Sequence, residues 1–588
     1  MLYELNQHQT RLQFRLLWLA LLAAGIFLAL FGRLFYLQVV VGEQYSEKAL
    51  NNRLRSEPIL APRGNIYDRK GQILATNKEA HALRFDPRQL SNAQIYQTLQ
   101  LLSRYLDSTY EDLRGRIDFR YPQPVYLYHD LSPQELAVVL EHRDRLPGIQ
   151  IVTSLERYYP LQERMAHFLG HMGQISPDEL QDPAYQQYVP GAQVGKGGLE
   201  RLYEPFLKGV DGRESRELQL RKDETDPVYQ RTEPIPGHDL RLTIDKDLQT
   251  FCYELLKKQG VAGSIIVMEP QTGELLALVS YPAYDPNLFN KGLSQAQWEA
   301  LQNDPLHPFL DRSTNAYAPG SIYKVVSTLA ALGTGHLTPA RQFISRGSLR
   351  VSGHLFYDWN RQGFGQVDIH QALAHSIDTV YYELSQEMGM QAIEDYSERF
   401  ALGHPTGVDL PAEASGLIPS PAWKQQRLKQ PWMPGDAVNA SIGQGFVQMT
   451  PLQAVRMTAA VANGGYLVPP HLVQKIGGDV QGLSPARPAA VPVADIPPAD
   501  WQTVRRGLEE AVTYGTAKVL KMPRVRVAAK TGTAETIPGK KDHAWIIAYA
   551  PAESPRYAMT VFLEHGGSGG GKAAPLGRKV FDYLFGNS

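Results

Sequence analysis

The chain has 588 residues, enough for two to four domains that each bury a core. Its 59 Lys and Arg balance 60 Asp and Glu, so there is no global basic field to attract nucleic acid, and that class of partner is excluded. Cys252 is the single cysteine, which rules out an intrachain disulfide, a Cys-rich zinc site and a thiol relay.

Taken from the N-terminus, Leu16 to Gly32 runs without a charge between Arg15 and Arg33. At 1.5 Å per residue that stretch spans about 26 Å, and its continuation through Leu34 to Val41 reaches hydrocarbon thickness if Arg33 snorkels. It is too long for the apolar region of a cleaved signal and lacks a small-x-small cleavage site. Residues 16–41 are therefore expected to be a transmembrane anchor. Arg11 and Arg15 precede the span, which places the tail 1–15 in the cytoplasm and the rest of the chain outside.

Residues 42–236 are rich in charge, Tyr and Pro and carry no compact catalytic cluster. Three islands stand out: Arg63 to Gly71, Arg157-Tyr158-Tyr159-Pro160 leading to His167 and Gly170, and Gly197 to Glu204. Glycines beside Arg and acidic residues predict tight turns fixed by ion pairs rather than chemistry. Past Pro234 and Gly237 the texture becomes that of a compact α/β domain, 237–588. Gly263 to Glu269 and Gly273 to Pro282 are apolar runs separated by Pro270-Gln271-Thr272-Gly273, the pattern of a hairpin. A long helical and loop-rich middle follows. Val525 to Ala529, His543 to Ala550 and Tyr557 to Leu563 are again strand-like, Pro575 to Phe585 reads as a closing helix, and the Pro-rich stretch 485–498 as a surface excursion. Strands at both ends with helices between predict one sheet assembled from distant pieces, which would bring residues near 321, 376 and 530 together.

Three motifs carry chemistry. Tyr317 to Lys324 ends in Ser321-Ile322-Tyr323-Lys324, with apolar residues at Ile322, Val325, Val326, Leu329 and Ala330 predicting a helix buried on one face. On such a helix Ser321 and Lys324 share a face at the N-terminus, where developing negative charge is favoured. One Ser-x-x-Lys is expected by chance in about every chain of this length, so the motif alone is only a capped helix. Ser376-Ile377-Asp378 follows a helical stretch from Ile369 to Ala374, and Lys530-Thr531-Gly532-Thr533 is predicted to end the strand Val525 to Ala529. Ser-x-x-Lys, a Ser-x-Asn-type element and Lys-Thr-Gly, in this order, form the signature of penicillin-binding proteins and class A β-lactamases.

With these motifs the chain resembles a class B penicillin-binding protein, most of all the elongation type, penicillin-binding protein 2. Further islands supporting that subtype are Arg63 to Gly71, Gly197 to Glu204, Ser280 to Asn287, Asn303-Asp304-Pro305, Gly443-Gln444-Gly445 and Asp542-His543-Ala544-Trp545. The resemblance covers nearly the whole chain. Asp378 stands where the wider family usually has Asn, an acid typical of this subtype and contrary to the septal paralogue. The resemblance implies a multidomain α/β architecture: an N-terminal transmembrane helix, an elongated α+β pedestal of the dimerisation type over 42–236, and a β-lactamase-like transpeptidase domain over 237–588 with a central antiparallel sheet flanked by helices.

It also implies roles. Ser321 would attack the donor peptide, with Lys324 as a base that can act only when neutral, its proton discouraged by burial and by the Lys530 cation. Ser376 would relay the proton to the leaving D-alanine amine, and Asp378 would orient that relay and its neighbours by hydrogen bonding. Lys530, Thr531 and Thr533 would hold the donor's terminal carboxylate, while the N–H groups of Ser321 and Thr533 form an oxyanion hole that Gly532 keeps open. The implied activity is peptidoglycan D,D-transpeptidation between stem peptides during cell elongation, with no cofactor and with β-lactams as acylating mimics.

No fused glycosyltransferase is expected. The implied partners are a glycosyltransferase of the shape, elongation, division and sporulation (SEDS) family, RodA type, and other elongation-complex proteins, all at the inner membrane. Asp358, Asp368, His370 and His375 are close enough in sequence to suggest a zinc site like that of some relatives. Phe364 replaces a histidine of those relatives and no cysteine lies near, so no metal is expected. The rival readings are a septal transpeptidase, a D,D-carboxypeptidase or β-lactamase of the same fold, and a non-enzymatic sensor or scaffold that is merely acylated.

Overall fold

The computed structural model describes residues 2–42, 54–88, 90–106, 108–117, 119, 124–185, 188, 192–217, 228–477 and 484–586. The chain divides into two compact units, Met1–Ala61 with Val210–Ile235, and Pro62–Gly209 with Pro236–Ser588.

The first unit holds the long helix Leu2–Phe35, continued by a wider turn over Tyr36–Val40. The stretch Phe14–Val40 is long and apolar enough to cross a membrane, and its apolar side chains are exposed. The helix begins well before Leu16, because nothing in the first fifteen residues breaks it: they contain neither Pro nor Gly. The unit also contains a three-stranded antiparallel sheet, Leu54–Ile59, Gly212–Glu217 and Val228–Thr232.

In the second unit a mixed sheet runs in the order Val473–Ile476, Leu240–Leu242, Ile66–Tyr67, Ile73–Phe85, Val125–Tyr128, with Ile149–Tyr158 also paired to Ile73–Phe85. Its outer strand, Val473–Ile476, comes from far beyond residue 236, so the sheet draws on both segments separated in the sequence reading. The islands of the pedestal meet here. Glu200 accepts from Arg63 Nε and Arg157 Nε, each at 2.6 Å, and Arg63 also reaches Glu204 at 2.8 Å. Arg157 further donates to the Gly64 carbonyl at 2.8 Å. All four ionic side chains are nearly or wholly buried, and each is paired, as burial of charge requires.

A five-stranded antiparallel sheet forms the centre of the C-terminal part, in the order Leu275–Tyr281, Gly263–Met268, Tyr557–Leu563, His543–Ala550, Ala528–Ala534. Both faces are covered, which is why its central strands read as continuous apolar runs rather than alternating ones. Ile266, Met268, Trp545 and Phe562 join a core with the buried helix Pro451–Asn463, while Ile265, Val267, Ile546 and Val561 pack with the closing helix Ala574–Phe585. The expected hairpin is present, with Ile265 opposite Val279. One strand differs from expectation. The edge strand starts at Ala528 and continues through Lys530 to Ala534, instead of ending before the Lys-Thr-Gly triplet. Pairing with His543–Ala550 is the reason: Lys530 lies opposite Ile547, Gly532 opposite Trp545 and Thr533 opposite Ala544, so the ladder runs on across Gly532, a residue of low strand propensity.

Candidate active site

Ser321 lies in a tight 3-10 turn, Gly320–Tyr323, that leads into the helix Lys324–Gly333. The predicted helix is thus preceded by a narrower turn. Gly320 has φ of +57°, and a Cβ there would stand 2.5 Å from the Thr533 carbonyl oxygen, so only glycine lets this turn approach the edge strand. The Gly320 N–H donates to the Gly443 carbonyl at 2.9 Å, and Trp545 Nε1 donates to the Ala318 carbonyl at 3.0 Å. The Ser321 turn is therefore fixed by two strands of the sheet and by the Gly443 loop.

Lys324 is fully buried. Its Nζ donates to the Ser376 carbonyl at 2.9 Å, to Ser376 Oγ at 3.3 Å and to Asp378 Oδ1 at 2.6 Å, and sits 5.1 Å from the centre of the Tyr381 ring. The sequence reading has Asp378 orienting the relay and its neighbours by hydrogen bonding; here Asp378 pairs with the neighbouring Lys324, whose amine directs all three hydrogen bonds to the second motif.

Ser376 caps the helix Ile369–His375 with φ of +59°, while Ile377 N–H reaches back to the Ala372 carbonyl at 2.9 Å. Asp378 then opens the helix Asp378–Arg399. Its helix N-terminus is capped from a distance: buried Asp358 accepts from Thr379 N and Thr379 Oγ1, both at 3.1 Å. Burial, followed by the Asp378 charge, pushes the Asp358 carboxyl above the usual carboxylate range.

On the edge strand Lys530 is fully buried, with Nζ donating to the Thr531 carbonyl at 2.9 Å. Burial, then the charge of Lys324, holds its amine well below the usual lysine range, and Asp378 pulls the other way. The sequence reading makes Lys530 a cation beside Lys324; the Asp378 carboxylate lies on Lys324, and Lys530 has no comparable partner among the described residues. Thr531 and Thr533, two apart, share the opposite face of the strand. Gly532 packs its backbone on Pro319 and Ile322, where a Cβ would meet atoms at 2.9 to 3.0 Å.

Two contributors are absent from the sequence reading. Thr516 Oγ1 lies 2.6 Å from Thr531 Oγ1, and the Gly569 N–H donates to Thr533 Oγ1 at 3.2 Å. The glycine-rich run 566–571 was a visible signal for the second, since a Cβ at Gly569 would stand 2.2 Å from the Gly532 oxygen. Nothing local singles out Thr516. Three of the four suspected zinc ligands have other tasks, and the fourth, His370, lies with Nδ1 3.8 Å from Asp368 Oδ2. Asp358 caps Thr379, Asp368 caps its own helix by accepting from Gln371 N at 2.8 Å, and His375 stacks on Phe364. Among the described residues no three His, Cys, Asp or Glu side chains form a metal-sized cluster.

A family model of the penicillin binding protein transpeptidase domain matches residues 263–582, over half of the chain, and one of the penicillin-binding protein dimerisation domain matches residues 58–242. The chain belongs to the penicillin-binding protein family. Peptidoglycan D,D-transpeptidase MrdA of Haemophilus influenzae is 33% identical over 594 residues, covering 96% of this chain and 90% of the relative. The penicillin-binding protein PBP2 of Helicobacter pylori, solved in complex with MreC, superposes with a TM-score of 0.80 at 29% identity, covering 91% of this chain and 99% of that one. A chain from a structure of a peptidoglycan synthase complex that coordinates polymerization and crosslinking is similar with a TM-score of 0.71 at 31% identity, covering 98% and 99%. The two matched segments give this chain the two-domain penicillin-binding protein plan, dimerisation followed by transpeptidase, in agreement with the PBP2 structure.

Proposed function

We propose that this penicillin-binding protein is the peptidoglycan D,D-transpeptidase of cell elongation, acting through an acyl-enzyme on Ser321. The observation that carries the reading is the convergence of three motifs: Lys324 is bonded to Ser376 and Asp378, and the Ser321 turn lies against the Lys530–Thr533 strand. Ser321 Oγ attacks the carbonyl of the donor's penultimate D-alanine, the peptide bond breaks, and terminal D-alanine leaves as an amine carrying the proton taken from Ser321. The amine of a neighbouring stem peptide then attacks the ester, forms the cross-link and returns the proton to Ser321.

The electrostatics support an order of events. Lys324 must be neutral to take the serine proton, yet at rest it is paired with Asp378. A donor carboxylate reaching Lys530, Thr531 and Thr533 favours a protonated Lys530. Ser376, hydrogen-bonded to Lys324, then carries the proton taken from Ser321 on to the leaving amine. Backbone N–H groups of Ser321 and Thr533 serve the oxyanion.

The apolar helix Phe14–Val40 serves as a single membrane anchor, and the arginines before it favour an extracytoplasmic catalytic part. A SEDS-family glycosyltransferase of the RodA type and an MreC-type elongation protein are the proposed partners, the latter by analogy with the Helicobacter pylori complex.

Intact-mass measurement tests the nucleophile: wild type should gain one stoichiometric penicilloyl group and Ser321→Ala none, and an adduct on Ser321→Ala would overturn the assignment. Incubation with stem peptides and glycan precursor tests the outcome, with cross-linked dimers expected. Hydrolysed monomers alone would make the protein a carboxypeptidase.

A further inference from the structure

The two threonines of the edge strand are held from behind in a related way. Thr533 Oγ1 accepts from the Gly569 N–H at 3.2 Å. A backbone N–H can only donate, so the hydroxyl proton of Thr533 is left to point elsewhere. Thr531 Oγ1 makes a 2.6 Å contact with Thr516 Oγ1, in which either oxygen could donate. Among the described residues Thr516 Oγ1 has one alternative acceptor, the Ala374 carbonyl. That oxygen is 3.5 Å from Thr516 Oγ1 and already takes the Thr516 N–H at 3.0 Å. The short contact to Thr531 is the better acceptor for the Thr516 proton.

We propose that Thr516 is a positioning residue for donor recognition, its hydroxyl donating to Thr531 so that the Thr531 proton is directed at the donor's terminal carboxylate. This rests on the reading of the Lys530–Thr533 strand as the carboxylate site. The chain Thr516 to Thr531 to carboxylate polarises in one direction, each bond strengthening the next. Gly569 does the same for Thr533 with a rigid backbone donor. Thr516 also grips, through its N–H, the last turn of the helix that ends at Ser376, so one residue ties the anion-binding strand to the relay serine. Recognition of the carboxylate and placement of the proton relay are thereby built on a common anchor.

The test is acylation kinetics of the full chain with a penicillin and with its methyl ester, for wild type, Thr516→Val, Thr516→Ser, Thr531→Val and the double valine variant. Thr516→Val keeps shape and backbone N–H while deleting the hydroxyl. It should raise the half-saturating concentration of the free acid roughly tenfold, the scale of a hydrogen bond to a charged group, and leave the limiting acylation rate nearly unchanged. With the ester the variant should match wild type, Thr516→Ser should restore the acid's affinity, and the double variant should be no worse than Thr531→Val. Equal losses for acid and ester, no loss with the acid, a serine variant that fails to rescue, or additive valine effects would each overturn the inference. A wild type that forms no adduct would overturn the acyl-enzyme reading, and this inference with it.

Discussion

Asp378 Oδ1 accepts a hydrogen bond from Lys324 Nζ at 2.6 Å, an ion pair between residues 54 positions apart. It joins the helix that follows the serine to the helix that follows Ser376. The lysine is wholly buried and the carboxylate mostly so, and a buried pair is costly to break from one side because the remaining charge is left without compensation.

Asp378→Ala should therefore destabilise the protein by about 3–5 kcal/mol, measured by chemical denaturation. Asp378→Asn keeps the hydrogen bond and removes the charge, which otherwise favours protonated amines at the site. The Lys530 amine should then lose its proton at lower pH than in wild type, and an NMR titration of its side chain whose midpoint stays put or moves upward would contradict the electrostatic account.

Lys530→Met tests the depressed amine directly. In the folded chain Lys530 loses its proton well below 10.5, the unfolded reference, so between the two values the unfolded state binds more protons. Stability contributed at this position therefore rises with pH through that window, and is lowest where folding must bury a charged amine. The methionine variant should lack that slope and be more stable than wild type at neutral pH by about 1–4 kcal/mol, while losing affinity for carboxylated β-lactams. Thermal melts across the pH range check the first part; parallel profiles for the two proteins would refute it.

Gly320→Ala places a Cβ at φ of +57° and 2.5 Å from the Thr533 oxygen. Gly335 has φ of +76° with open space around it, and serves as the control. Alanine at Gly335 should cost about 1–2 kcal/mol from conformation alone. Alanine at Gly320 should cost more and also slow acylation at least roughly tenfold, because the turn carrying Ser321 must move off the edge strand.

Glu200→Ala would leave Arg63 and Arg157 buried without their shared carboxylate. A loss of about 3–5 kcal/mol is expected on denaturation. Glu200→Gln, which retains the acceptor oxygen but not the charge, should fall between the two. If alanine were tolerated without loss, the network would be an ornament of the pedestal rather than its clamp.

Much of this architecture was legible before any coordinates. The hairpin 263–281, the strands His543–Ala550 and Tyr557–Leu563 and the closing helix announce themselves because local periodicity and turn residues decide them. The ion-paired islands were legible as well, since Arg and Glu beside glycines have few buried uses. The edge strand was misplaced by three residues at its start and five at its end. Its extent depends on a partner strand that begins nine residues after it stops, and no local propensity reports that pairing.

The amino-acid order by itself determined which groups this protein has for its chemistry: a serine and a lysine one turn apart, a second hydroxyl with an acid beside it, and a lysine followed by two threonines. Those are matters of residue type and local spacing. Tertiary structure alone decided how they are wired. It put the Asp378 carboxylate on Lys324, left Lys530 as the amine that burial depresses, and set Thr516 and Gly569 behind Thr531 and Thr533. Pairing, burial and hydrogen-bond direction arise between segments far apart in the chain, and the fold is what selects among them.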